Sequence, residues 1–128
     1  MRLSRPTLLG IDYASHARPV VEAWREEAAS GSGGAAQDAR ARLKSLATFE
    51  FRVRGHPLGA GDIVARDRWP RDLSRDYGDD IGNLFRFEIS GRWRGYYALV
   101  GEDRGVRVWV LYLWDHATYD RQSRYARK

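Results

Sequence analysis

Arg86, Glu88, Arg94, Tyr96, His116 and Tyr119 are the side chains of this sequence whose types and spacing could do chemistry together. An arginine fork holds a phosphate through two parallel hydrogen bonds and keeps its charge at any physiological pH. Histidine has the ordinary pKa nearest neutrality, which suits proton transfer. Tyr119 stands three residues after His116, so a helical segment would put both on one side. Glu88, between the two arginines, is a candidate base by proximity. Base, acid and fixed positive charge are what phosphodiester cleavage requires. His16, opening a helix, and His56, before Pro57, have no such company and read as structural or exposed. With no cysteine in the chain, disulfides, thiolate catalysis and cysteine-bound zinc drop out, and no cofactor or metal is expected.

The elements that must position these residues are strands. Leu84 to Ile89, Arg92 to Val100 and Val106 to Trp114 alternate in side-chain character and are separated by Ser90-Gly91 and by Gly101 to Gly105, which predicts a three-strand antiparallel meander. A three-residue turn over 90–92 pairs Ile89 with Trp93, Phe87 with Gly95 and Phe85 with Tyr97, making one face apolar. The opposite face then pairs Glu88 with Arg94 and Arg86 with Tyr96. A two-residue turn would put Arg94 opposite Phe87, so the sorting of charge favours the longer one. Two arginines, a glutamate and a tyrosine side by side fit a solvated face with an ordinary cross-strand ion pair. They fit a phosphate-binding floor as well.

Upstream, Leu8 to Tyr13 reads as a strand. Ser15 is a candidate N-cap and Pro19 falls in a first helical turn, so residues 16–29 form an amphipathic helix through Val20, Val21 and Trp24. Ser30 to Gly34 is a loop, and Ala36, Ala39, Leu43 and Leu46 give a second helix over about 35–47. The chain therefore reads as one α+β domain, with two N-terminal helices on one face of a small, mainly antiparallel sheet in the order β-α-α-β-β-β. Residues 1–54 supply a strand and helical pair, 55–83 a connector, 84–114 the meander and 115–128 a basic tail. The face away from the helices is expected to be open.

The 128 residues suffice for one core, and with 43% hydrophobic residues the chain is not compositionally disordered. No apolar run reaches membrane-span length and no signal-peptide core follows Met1, so a cytoplasmic location is expected. The net charge of +5 is uneven: residues 84–128 hold nine Lys/Arg against five Asp/Glu. Of the 22 basic residues, all but Lys44 and Lys128 are arginine, which suits a nucleic acid or an acidic protein partner.

Trp93-Arg94-Gly95-Tyr96-Tyr97, then a turn, a Val-rich strand and Asp115-His116-Ala117-Thr118-Tyr119, resembles the RelE/ParE superfamily of toxins from type II toxin–antitoxin systems. Leu84 to Phe87, Trp69-Pro70 and Tyr77-Gly78 add to the likeness, which covers about residues 55–125 and upstream rests on element order. The resemblance implies a RelE-like fold and, in the ribonuclease branch, mRNA cleavage by attack of the 2′-hydroxyl on the adjacent phosphate. It implies that Arg94 contacts the phosphate and that His116 and Tyr119 serve in acid–base work and base stacking. Arg86 and Glu88 complete the expected catalytic set, and Arg92, Tyr96, Arg121 and Arg124 the expected RNA contacts. The implied partners are a cognate antitoxin and mRNA, free or on the ribosome, with no membrane. Other members of the superfamily inhibit DNA gyrase without cleaving RNA. That activity, or a non-toxic nucleic-acid- or protein-binding role, is the alternative.

Overall fold

The computed structural model describes the backbone of residues 7–126 and the side chains of residues 7–123. Strand β1 (Leu8–Tyr13) leads into helices α1 (Arg18–Ala29) and α2 (Gly34–Gly55). A two-residue strand β2 (Asp62–Ile63), a 3-10 turn (Arg66–Arg68) and a short helix α3 (Leu73–Tyr77) occupy the connector. Strands β3 (Phe85–Ile89), β4 (Trp93–Glu102) and β5 (Gly105–Trp114) form the meander, and helix α4 (His116–Ala126) follows at once. The sheet runs β1-β5-β4-β3-β2, with β1 parallel to β5 and every other pairing antiparallel. The class is α+β, as the sequence predicts, with one strand and two helices more than the predicted order.

The register of the first hairpin is the predicted one: Phe85 faces Tyr97, Phe87 faces Gly95 and Ile89 faces Trp93. Its turn bends through Gly91 at φ 77° and Arg92 at φ 66°, the left-handed region that a side chain enters only under constraint. Gly95 is fixed by its partner, since a Cβ there would come within 2.2 Å of the Phe87 ring. That ring stacks on Phe49 of α2 at 3.8 Å, and Trp24 of α1 meets Trp93 edge-on at 4.9 Å. The first core therefore lies between the helix pair and the sheet, where Val21, Leu46, Val53, Phe85, Ile89 and Tyr97 are buried.

Three expectations are corrected. Ser15 does not cap α1; Ala17 and Arg18 donate backbone bonds to the Ala14 carbonyl, both at 2.9 Å, and Pro19 falls in the first turn as expected. Helix α2 does not stop near 47, because Phe49 and Val53 continue the buried stripe after Leu46. The far face of the sheet is not open. Leu73, Leu84, Tyr96, Ala98, Leu111 and Tyr112 form a second buried cluster, roofed by the connector and α4. Hydrogen bonds seat this roof. Tyr112 donates to Asp76 at 2.6 Å, Tyr77 donates to the Leu111 carbonyl at 2.6 Å, and Gln122 of α4 donates to Asp72 at 2.8 Å. A sheet buried on both faces explains the unbroken apolar run of β5.

Candidate functional site

Register assembles the site. Asp62 lies opposite Arg86, Arg86 opposite Tyr96 and Tyr96 opposite Tyr112, so four strands contribute one row on the face turned from the helix pair. In the next row on that face, Glu88 faces Arg94 and Arg94 faces Trp114. Across this corner lies α4. Asp115 caps it by accepting from the Thr118 backbone N–H at 2.8 Å, and that bond, with the Thr118 side chain, holds its carboxyl below the usual range. Helical spacing then turns His116, Tyr119 and Ser123 to one side of the helix.

Tyr119 is the centre of the arrangement. Its oxygen accepts a hydrogen bond from Arg86 Nη1 at 2.5 Å, which leaves its own O–H free to donate elsewhere. The Arg86 and Arg94 guanidinium carbons lie 5.7 and 5.3 Å from the centre of its ring. Arg94 Nε is 3.0 Å from Glu88 Oε2, but its N–H makes no hydrogen bond, so this pair is held by charge rather than by donation. Of the pair, Arg94 is 21% exposed and Glu88 65%. The predicted set of Arg86, Glu88, Arg94 and Tyr119 is thus brought together, and the cross-strand ion pair is real as well.

His116 stands beside this group with a different neighbour. Its Nε2 lies 3.1 Å from Arg92 Nη2. A guanidinium can only donate, so in this contact Nε2 carries the lone pair and Nδ1 the proton. That Nδ1 is buried without a hydrogen-bond partner among the described residues. Arg92 and His116 form a second pair next to the Tyr119 cluster.

The remaining expected contacts are corrected. Tyr96 is 2% exposed, with its ring 6.4 Å from that of Tyr119, so it supports the site from below and offers no open face to a base. Burial, with Tyr119 close by, pushes its hydroxyl up to about 12, so it serves as a neutral hydrogen-bonding group. Arg121 bonds Thr118 at 3.3 Å on the side of α4 turned from Tyr119, because a helix rotates what an extended tail would have aligned. The Arg124 side chain lies outside the described residues.

A pocket of about 220 Å³ opens beside Tyr119, lined by Asp62, Arg68, Arg86, Tyr96, Tyr119 and Ser123 among others. Asp62 and Arg68 are absent from the sequence-predicted site. The doublet Arg66 and Arg68 before Trp69-Pro70 was the available signal, but a connector without periodicity gives no hint of what it faces. Among the described residues no group of three or more His, Asp or Glu is placed to hold a metal ion, and no helix is long and apolar enough to cross a membrane. Comparison with protein-family models, curated proteins and solved structures gives no match.

Proposed function

We propose that this chain is the toxin of a toxin–antitoxin pair and acts as an endoribonuclease on mRNA. The observation that carries the reading is the convergence of Arg86 and Arg94 on Tyr119, at the edge of a pocket of nucleobase scale. Support for the RelE-like fold comes from an N-terminal helix pair on one face and from the first strand lying parallel beside the last.

In the proposed reaction the 2′-hydroxyl oxygen attacks the adjacent phosphorus and the bond to the 5′-oxygen breaks, giving a 2′,3′-cyclic phosphate and a 5′-hydroxyl. Arg94 and Arg86 meet the charge on the phosphorane oxygens. Tyr119, whose O–H is free, donates to a phosphorane oxygen or to the leaving 5′-oxygen. Glu88 is largely solvent-exposed and takes the 2′-hydroxyl proton. His116, one helical turn before Tyr119, assists once Arg92 turns to RNA and frees its Nε2.

A second reading, a toxin of the same fold that binds gyrase without cleaving RNA, is favoured by one feature. Arg94 is already paired with Glu88 and covered by Tyr119. The experiment is to induce the chain in a bacterial host and to map mRNA ends and DNA supercoiling in the same cells. New 5′ ends that vanish with Arg94→Ala support the ribonuclease. Altered supercoiling with intact mRNA sinks it.

A further inference from the structure

Asp62 and Arg68 face the pocket beside Tyr119 with their hydrogen-bonding groups unused. Neither the Asp62 carboxylate nor the Arg68 guanidinium has a hydrogen bond or an ion pair among the described residues, although both line the same space of about 220 Å³. One group can only accept and the other can only donate. Tyr119, Val64 and Ala65 line the same space. The volume is below the roughly 300–1,000 Å³ of sites that enclose a whole drug-sized ligand, and it suits one planar ring system with its sugar left outside.

An unpaired base recognised by protein is stacked on an aromatic side chain and bonded along its Watson–Crick and Hoogsteen edges. The donor and acceptor pattern of this pocket selects among the four. Guanine presents two adjacent donors, N1–H and the N2 amino group, to a carboxylate, and two acceptors, O6 and N7, to a guanidinium. Adenine and cytosine would each set a ring-nitrogen acceptor against the Asp62 carboxylate. Uracil would offer a single N–H flanked by two carbonyl oxygens. We propose that this pocket holds a guanine base of the RNA next to the cleaved phosphate, with Asp62 reading its donors and Arg68 its acceptors. The proposal rests on the ribonuclease reading for its substrate, but it makes a claim about binding that stands apart from cleavage.

The test is the affinity of the purified chain for the 3′-monophosphates of guanosine, adenosine, cytidine and uridine, followed by calorimetry. 3′-GMP is expected to bind roughly 10- to 100-fold more tightly than the others, as one good bidentate base contact allows. Asp62→Asn replaces one acceptor by a donor and should collapse that preference, and Arg68→Ala should weaken 3′-GMP most. Both residues are exposed, so the variants should fold, which their circular dichroism would check. Equal affinity for the four nucleotides, or a guanine preference that survives Asp62→Asn, overturns the proposal. RNA cut without regard to guanine leaves the ribonuclease reading standing and removes the base pocket. An Asp62-dependent preference for 3′-GMP in a chain that cuts no RNA does the reverse.

Discussion

Replacing Tyr119 by phenylalanine removes one oxygen and keeps the ring on which Arg86 and Arg94 sit at 5.7 and 5.3 Å. The lost oxygen accepts from Arg86 at 2.5 Å, and Arg86 Nε is already buried without a partner, so the change leaves that guanidinium poorly satisfied. A hydrogen bond to a charged group contributes about 1.5–3 kcal/mol, and because Tyr119 is only half-buried the lower end applies. For a domain of this size that is a fall in Tm of roughly 5–10 °C, well short of unfolding at 25 °C. The effect on rate should be larger. Loss of a positioned proton donor typically lowers turnover by about 10²–10⁴-fold, equivalent to roughly 3–5 kcal/mol of barrier. Since the ring that holds Arg86 and Arg94 remains, kcat should fall while KM changes little. The assay is cleavage of a short single-stranded RNA, with thermal unfolding of the same sample. A folded Tyr119→Phe protein that cuts at the full rate would refute the proton-donor role, and the arginines would then have to act with Glu88 alone.

Other perturbations probe the frame around the site. Gly95→Ala drives a methyl group into the Phe87 ring, which Phe49 holds from the other side, and should destabilise by about 1–3 kcal/mol in a denaturant titration. Burial pushes the Asp76 carboxyl up, but hydrogen bonds from Tyr112 and Arg75, with His16 close by, outweigh it and leave the pKa below the ordinary 3.8. Its stabilising contribution is therefore present above pH 3.8 and lost as pH falls through the folded value. Asp76→Asn should flatten that part of an acid-unfolding curve while lowering stability at neutral pH. Cutting the chain before His116 removes Tyr119 and the Gln122 bond to Asp72 together. It should expose Tyr96 and Tyr112, raise binding of a hydrophobic dye and lower Tm, so point substitutions are the cleaner test of His116.

The meander was legible because period-two alternation and one turn length determine a hairpin completely. Sorting Arg94 away from Phe87 was enough to place every pair from Phe85–Tyr97 to Ile89–Trp93. The helix pair was legible through Val21, Trp24 and Leu46, although the end of α2 was not, since Phe49-Glu50-Phe51 alternates as a strand would while Val53 completes a helical stripe. The second buried face was missed for a different reason. Tyr96 carries a polar atom and reads as a surface residue, yet it is buried with Tyr112 in the cluster under the roof. Of the site, the sheet arginines follow from register. Tyr119 meets them only because α4 turns straight back after Asp115, and Arg121 is lost from the site by the same turn. Asp62 and Arg68 belong to a connector whose path depends on a side chain, Tyr77, finding the Leu111 carbonyl far from its own segment, which no local pattern encodes.

The parallel pairing of β1 with β5 has a bearing on when the Tyr119 cluster is assembled. Asp12 and Arg107 meet at 3.3 Å across a separation of 95 residues, and β5 is also the strand on which β4 aligns. Contacts so remote in sequence form only after the intervening chain has been made and its loop closed, which slows folding relative to a helical bundle. During synthesis the helix pair and the hairpin of β3 and β4 can form early, but the sheet has no centre until β5 emerges. The segment carrying His116 and Tyr119 emerges later still. Arg86 and Arg94 therefore wait without Tyr119 until residues 116–119 have been made and α4 has folded back over the sheet.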